Sequence, residues 1–169
     1  MIRALRPEDA PACDAIISSL PYHFAVVAGR TECAAAVRSE RGLVVEEDGT
    51  VVAFLTFVER FDVAAEVTWM AVRADRRRNG LGSRLLDRLS EILVREGRSL
   101  LVVLTVSPSD PNEEPPDGYQ TTRAFYARNG FVLVKDLPTL WEGDLAVLLV
   151  RVLGGSEDRS ERARSTVDR

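Results

Sequence analysis

A turn rich in glycine and arginine separates an apolar strand from a long amphipathic helix in the middle of the chain. Gly80 and Gly82 lack a Cβ, so the backbone can turn tightly and bring several amide N–H groups toward one point. The helix that follows directs the positive end of its dipole to the same point. Consecutive arginines at 76–78 add permanent positive charge suited to phosphate oxygens. The segment therefore predicts a strand–turn–helix unit that binds a pyrophosphate.

The spacing of this turn excludes two common phosphate-binding loops. A P-loop requires a lysine followed by serine or threonine, whereas the only lysine of this chain is Lys135. A dinucleotide-binding turn requires a third glycine where this sequence has Leu85. What remains is an Arg-x-x-Gly-x-Gly pattern that begins at Arg77. By itself this pattern is also compatible with a surface helix cap surrounded by solvated arginines.

A second motif lies further along the chain, where Phe125 and Tyr126 come shortly before Gly130 and Phe131. Gly130 suits the end of a helix, and Phe131 begins another apolar run. In their order and separation, the two motifs resemble the signatures of the GNAT superfamily of N-acetyltransferases.

The resemblance implies an α/β (α+β) fold whose central sheet is mixed, mostly antiparallel, of about seven strands, split into a V and flanked by about four helices. It extends over residues 1–152 in element order and is specific only over 66–97 and 119–133. We expect a single domain over residues 1–153. Residues 154–169 are small and charged with almost nothing to bury, so we expect a disordered tail.

Local patterns give the expected order of strands and helices. An Asp-Gly pair within 47–50 predicts a hairpin between two apolar strands. Residues 100–106 are too continuously apolar for an exposed strand and should lie centrally in the sheet. Residues 20–31 are ambiguous, with Thr31 as a candidate helix cap. We expect strands at 2–6, 43–46, 51–57, 64–72, 100–106, 131–136 and 145–153, and helices at 7–19, at 32–40, after the glycine turn and around Tyr126.

Composition and charge narrow the class of protein. A chain of 169 residues with 46% hydrophobic residues is typical of one globular domain, and a net charge of −4 argues against general nucleic-acid binding. No apolar run approaches the roughly 20 residues needed to cross a bilayer, and the charged N-terminus does not resemble a signal peptide. We therefore expect a cytoplasmic monomer or homodimer. Cys13 and Cys33 are too few and too far apart for a metal site, so no metal is expected.

The resemblance also assigns residues to acetyl-coenzyme A, the acyl donor of the superfamily. The strand end at 70–72 is similar to the segment whose backbone pairs with the pantetheine amides, and 77–83 to the pyrophosphate-binding turn. Many members have an asparagine where this chain has Tyr119, so Thr122 is taken as a substitute contact. The expected contacts are Met70, Ala71, Val72, Arg77, Arg78, Asn79, Gly80, Leu81, Gly82, Ser83, Thr122 and Phe125.

Acyl transfer from a thioester to an amine needs both a proton donor and a proton acceptor. The departing thiolate needs a proton, and Tyr126 matches the tyrosine that the superfamily uses as this general acid. The alternative role for Tyr126 is to pack its helix against the sheet. A base is needed because an alkylamine, with a pKa near 10, is almost fully protonated at neutral pH.

Glu66 is the best candidate for this base. It lies eleven residues before Arg77, an offset that resembles the glutamate of histone-acetylating members of the superfamily. On a regular strand it shares a face with every second residue, here Thr68, Met70 and Val72. A solvated acid is the alternative role, and Glu59, His23 or a water molecule remain as other bases.

The sequence indicates less about the acceptor of the acyl group than about its donor. The connection at 107–118 is unusually long and contains four acids and no basic residue, which favours a cationic acceptor if the loop borders the site. A solvated acidic loop is the alternative. The leading function is an N-acetyltransferase acting on a small-molecule or peptide amine by direct attack in a ternary complex. A non-catalytic acyl-coenzyme A-binding module, or an acyltransferase with a different acyl group or a hydroxyl acceptor, remain as alternatives.

Overall fold

The computed structural model describes residues 1–20, 27–111, 119–141 and 144–154. The predicted tail from residue 155 onward, His23, and most of the acidic connection fall outside these ranges. The helices are α1 (Ala10–Ser18), α2 (Val27–Ser39), α3 (Leu81–Arg95) and α4 (Gln120–Arg128). The strands are β1 (Ile2–Ala4), β2 (Arg41–Glu47), β3 (Thr50–Arg60), β4 (Ala64–Val72), β5 (Leu100–Val106), β6 (Val132–Leu137) and β7 (Ala146–Val152).

The strands form a seven-stranded sheet in the order β1-β2-β3-β4-β5-β7-β6. Every neighbouring pair is antiparallel except β4 and β5, which run parallel. These two strands pair only from Ala64 to Val67 with Leu100 to Val103, and beyond this point no pairing joins them. The predicted mixed, mostly antiparallel sheet with its split between two halves is confirmed.

Helices cover the two faces of the sheet unequally. The leucine face of α3 is buried together with Tyr126 of α4 in a core that reaches from β2 to β7. On the opposite face, α1 and α2 bury a second core against β2, β3 and β4, which contains Phe54 and Ala71. Within the described ranges, no helix is long and apolar enough to cross a membrane.

Local turn chemistry explains which boundaries were predicted correctly. Asp48 and Gly49 have φ values of +49° and +74°, so both adopt the left-handed conformation of a tight hairpin turn, and the predicted hairpin is confirmed. The predicted start of a helix at residue 32 is wrong, because α2 begins at Val27 and Thr31 lies within it.

A bulge interrupts β4 where the sheet divides. Phe57 of β3 lies opposite Val67, but the preceding residue, Thr56, lies opposite Trp69, so Thr68 is an extra residue on β4. Met70 therefore packs in the same core as Val67, under α3. The prediction that Glu66 shares a face with Met70 and Val72 is wrong, because the extra residue reverses the alternation between them.

Candidate active site

The glycine turn presents a run of unoccupied backbone donors. Gly80, with φ of +75°, is the residue before α3, and Arg78 has φ of +66°. A Cβ on Gly80 would meet nothing within 4 Å, so its conformation rather than its space requires glycine. Arg84 is the first residue of the helix to donate, to the Gly80 carbonyl at 3.1 Å. Among the described residues, no N–H from Arg78 to Ser83 has an acceptor, so this helix N-terminus is suited to an anion.

The three arginines of the turn differ in their partners. Arg76 is bound to Glu47, with Nε 3.2 Å from the carboxylate, and lies 3.6 Å from Asp75. Arg77 and Arg78 are exposed and form no ion pair within the described part of the chain. Arg77 and Arg78 are therefore available for phosphate oxygens, whereas Arg76 connects the turn to β2 through Glu47.

The second glycine of the motif permits close packing between α3 and α4. A Cβ added to Gly82 would lie 3.0 Å from Cζ of Phe125 and 4.0 Å from Cε of Met70. The Phe125 ring thus lies directly against the first turn of α3. The structure brings together three of the predicted coenzyme contacts, which come from β4, the glycine turn and α4.

The free edge of β4 supplies further polar backbone groups. The Arg73 N–H donates to the Val52 carbonyl on β3. Because an antiparallel strand alternates its hydrogen-bonding direction, Ala71 also faces β3, whereas the backbone groups of Met70 and Val72 point toward the gap between β4 and β5. The side chain of Ala71 is buried under α1 and α2. Backbone pairing with an extended amide chain is thus available along this edge.

Tyr126 lies in the core on one side of the gap. Its ring makes edge-to-face contacts with Phe125 and Phe131, at centroid distances of 5.2 and 5.3 Å. Burial raises the pKa of its phenol, so the group stays protonated at neutral pH. Within the described ranges its hydroxyl has no hydrogen-bond partner. The ring therefore has the predicted packing role, and its hydroxyl is left to donate.

Glu66 lies on the opposite face of the sheet, beside the point where β4 and β5 separate. It is paired with Val58 on one side and Val102 on the other, and its side chain is 15% exposed. The Arg60 Nε donates to its carboxylate at 2.7 Å. The gap thus has a candidate acid on one face and a candidate base on the other.

The alternative bases are less well placed. Glu59 forms ion pairs with both Arg41 and Arg98, toward the far end of β3. The structure instead reveals an acid that the sequence did not indicate. Glu40 accepts a hydrogen bond from the Thr68 hydroxyl, which lies 2.8 Å from the Thr56 hydroxyl.

The carboxylate of Glu40 determines which groups donate in these hydrogen bonds. A carboxylate can only accept, so Thr68 donates to Glu40 and Thr56 donates to Thr68. No sequence signal identifies the contact, because Glu40 and Thr68 are 28 residues apart and meet only through the packing of the folded chain. A second carboxylate therefore lies on the face that carries Glu66.

The beginning of the acidic connection has a structural role. Asp110 is 8% exposed and its carboxylate accepts from the Leu145 N–H, which joins the loop to the start of β7. Ser107, at the start of the connection, donates to the Asp136 carboxylate at 2.6 Å. Asp110 is therefore buried in a contact between the loop and β7, whereas the sequence suggested an acid of a solvated or cation-attracting loop. The other acids of the connection, at 113, 114 and 117, lie outside the described residues.

Known structures share this fold. An acetyltransferase of the GNAT family from Desulfovibrio desulfuricans has a TM-score of 0.75 at 20% identity, over 90% of this chain and 98% of that chain. For the ribosomal-protein-S18-alanine N-acetyltransferase from Escherichia coli the TM-score is 0.69 at 21% identity, over 93% and 97%. An aminoglycoside 6'-N-acetyltransferase complexed with coenzyme A gives 0.67 at 14% identity, over 90% and 96%. At these identities the likeness concerns the fold alone.

Comparison of the sequence with known proteins and family models establishes the family. No curated protein sequence matches this chain significantly. The family model of the acetyltransferase (GNAT) domain matches residues 38–133, which is more than half of the chain and includes β4, the glycine turn and α4. The chain therefore belongs to the GNAT family of acetyltransferases.

Proposed function

We propose that this protein is an N-acetyltransferase, which moves the acetyl group of acetyl-coenzyme A to a primary amine by direct attack. The observation that carries the proposal is the gap between β4 and β5. The glycine turn lies at one end of it, Tyr126 on one face and Glu66 on the other. A thioester held in this gap would have a candidate acid on one side and a candidate base for the amine on the other.

The residues that would hold acetyl-coenzyme A, the acyl donor of this family, fit its chemistry. The amides from Arg78 to Ser83 and the side chains of Arg77 and Arg78 match a pyrophosphate in charge and donor number. The edge at Met70 and Val72 matches the paired amides of the pantetheine arm. When bound, the donor supplies an activated acyl group, and the protein's task is to orient it and manage protons.

Tyr126 stabilises the leaving sulfur. Because its pKa is raised, the phenol is a weak acid that donates a hydrogen bond as charge develops on the sulfur, and transfers its proton late in bond cleavage. Glu66 removes the proton of the amine, directly or through water. To do so it must release the hydrogen bond from Arg60, whose exposed side chain is free to turn away.

The names of the structural neighbours support an amine as acceptor class. Two of them act on an aminoglycoside or on the alanine of a ribosomal protein. Both of these proteins are N-acetyltransferases, whereas their acceptors differ completely.

A thiol-release assay with acetyl-coenzyme A and a panel of amines tests the proposal, with the product identified by mass spectrometry. We expect amine-dependent release of coenzyme A and an acetylated amine. Coenzyme binding without turnover for any acceptor would instead favour a binding module. Faster turnover with longer acyl donors or with alcohols would favour an acyltransferase of another specificity.

A further inference from the structure

One face of the C-terminal half of the sheet is apolar, and no helix of the described ranges covers it. Cross-strand pairs place its side chains in rows, since Leu100 lies opposite Val152 and Leu104 lies opposite Leu148. Between these two rows, Val102 lies opposite Val150, which in turn lies opposite Val132 of β6. We call this surface the open face, and its members are Leu100, Val102, Leu104, Val132, Leu148, Val150 and Val152.

No described helix buries this surface. The core under α1 and α2, on the same side of the sheet, contains residues of β2, β3 and β4 but none of β5, β6 or β7. The alternate residues of the same strands, such as Val103 and Leu149, are buried in the core with α3 and α4. Val132 and Val152 are 62% and 69% exposed. A contiguous apolar surface of this kind is typical of a binding site.

The open face is continuous with the candidate active site. Glu66 pairs directly with Val102, so the carboxylate and the row Val102–Val150–Val132 lie on one face. The opposite side of the gap is occupied by α3, Phe125 and Tyr126. An acceptor amine must therefore approach across the open face, or between it and α2.

The charge on the far side of the open face, away from Glu66 and Glu40, disfavours a second positive group. Lys135 lies opposite Leu148, in the row of Leu104, and it is exposed. A polyamine lying across the strands would bring its distal ammonium close to this lysine. An aliphatic or aromatic group would instead bury apolar surface along the same path.

We propose that the acceptor is a primary amine carried on an apolar body, which lies on the open face while its amino group reaches Glu66. This inference rests on the proposed N-acetyltransferase activity and adds to it the class of acceptor. Val102, Val150 and Leu148 then determine specificity through contact with the body of the acceptor. A polyamine or an aminoglycoside-like polycation would be a poor substrate.

Linear primary alkylamines from ethylamine to octylamine provide the test. Each buried methylene contributes about 0.8 kcal/mol, so kcat/KM should rise about three- to fourfold per methylene until the chain reaches the edge of the face. A 1,8-diaminooctane control, equal in length to octylamine but with a second charge, should be much slower. The absence of thiol release with these alkylamines and with every other amine of the panel would refute the proposed function itself.

A matched pair of variants tests whether the preference for long amines comes from the open face or from apolar surface elsewhere on the protein. Val150→Thr keeps the shape of the side chain and adds a hydroxyl, so the octylamine-to-ethylamine ratio of kcat/KM should fall severalfold. Val94→Thr makes the same change on the outer side of α3, where Val94 is 44% exposed, and should leave that ratio as in the wild type.

Three results would overturn the inference while leaving the N-acetyltransferase proposal intact. The first is a kcat/KM that does not change with chain length, and the second is an unchanged octylamine-to-ethylamine ratio in Val150→Thr. The third is a dimer, seen by sedimentation at the assay concentration, that Val150→Thr dissociates. That result would show that a second copy of the chain covers the open face.

Discussion

Replacing Tyr126 with phenylalanine should separate the stability of the protein from its turnover. The substitution keeps the ring and its contacts with Phe125 and Phe131. The hydroxyl that it removes has no hydrogen-bond partner among the described residues, so the free energy of unfolding should change by less than about 1 kcal/mol. General acid catalysis contributes a factor of about 100 to 10,000, so kcat should fall by about this amount.

The matched control changes the packing and keeps the hydroxyl. Phe131→Leu removes the ring that contacts Tyr126 at 5.3 Å, and loss of an aromatic pair costs about 0.5–1.5 kcal/mol in addition to lost burial. This variant should be less stable than Tyr126→Phe but turn over faster. Urea denaturation and single-turnover thiol release measure the two quantities. Normal single-turnover chemistry in Tyr126→Phe would refute the acid role and leave only the packing role.

The remaining predictions concern the turn and the base. Gly82→Ala should lower stability by at most about 2 kcal/mol in thermal denaturation, since a Cβ 3.0 Å from the Phe125 ring costs about 1–3 kcal/mol and alanine regains about 1 kcal/mol in a helix, and a raised melting temperature would contradict the close packing. Arg77→Ala should weaken acetyl-coenzyme A binding by about 10- to 100-fold in calorimetry, whereas Arg76→Ala, whose guanidinium is bound to Glu47, should weaken it far less. Glu66→Gln should lower kcat at neutral pH, with a defect that shrinks as the pH approaches the pKa of the amine, and a defect independent of pH would exclude the base role.

The sequence predicted elements wherever local chemistry determines the structure. Asp48 and Gly49 require a tight turn, and the leucines of α3 define a buried face whatever they pack against. The central position of β5 was also predicted from its continuous apolar run. No helix of the described ranges covers its second face, however, and a run of valines and leucines cannot show whether a helix lies on both sides.

The candidate site was predictable in its motifs but not in its geometry. The position of Gly80 at the start of α3 follows from the local conformation of a glycine turn. The position of Tyr126 on α4 follows from the second motif. The contact between Glu40 and Thr68 joins residues 28 positions apart, so it depends on how the chain after α2 packs against β4 rather than on either segment alone. The burial of Asp110 similarly depends on a distant N–H, that of Leu145.

The bulge at Thr68 adds one residue to β4 without changing the faces of the residues on either side of it. Deleting Thr68 would make Val67 and Trp69 neighbours, and regular alternation would keep Trp69 with α1 and α2 and Met70 under α3, as they are now. The deletion would instead remove the hydroxyl that joins Glu40 to Thr56. The loss of a single codon here would therefore take away a polar contact on the face of Glu66 while leaving the faces of the donor cleft as they are.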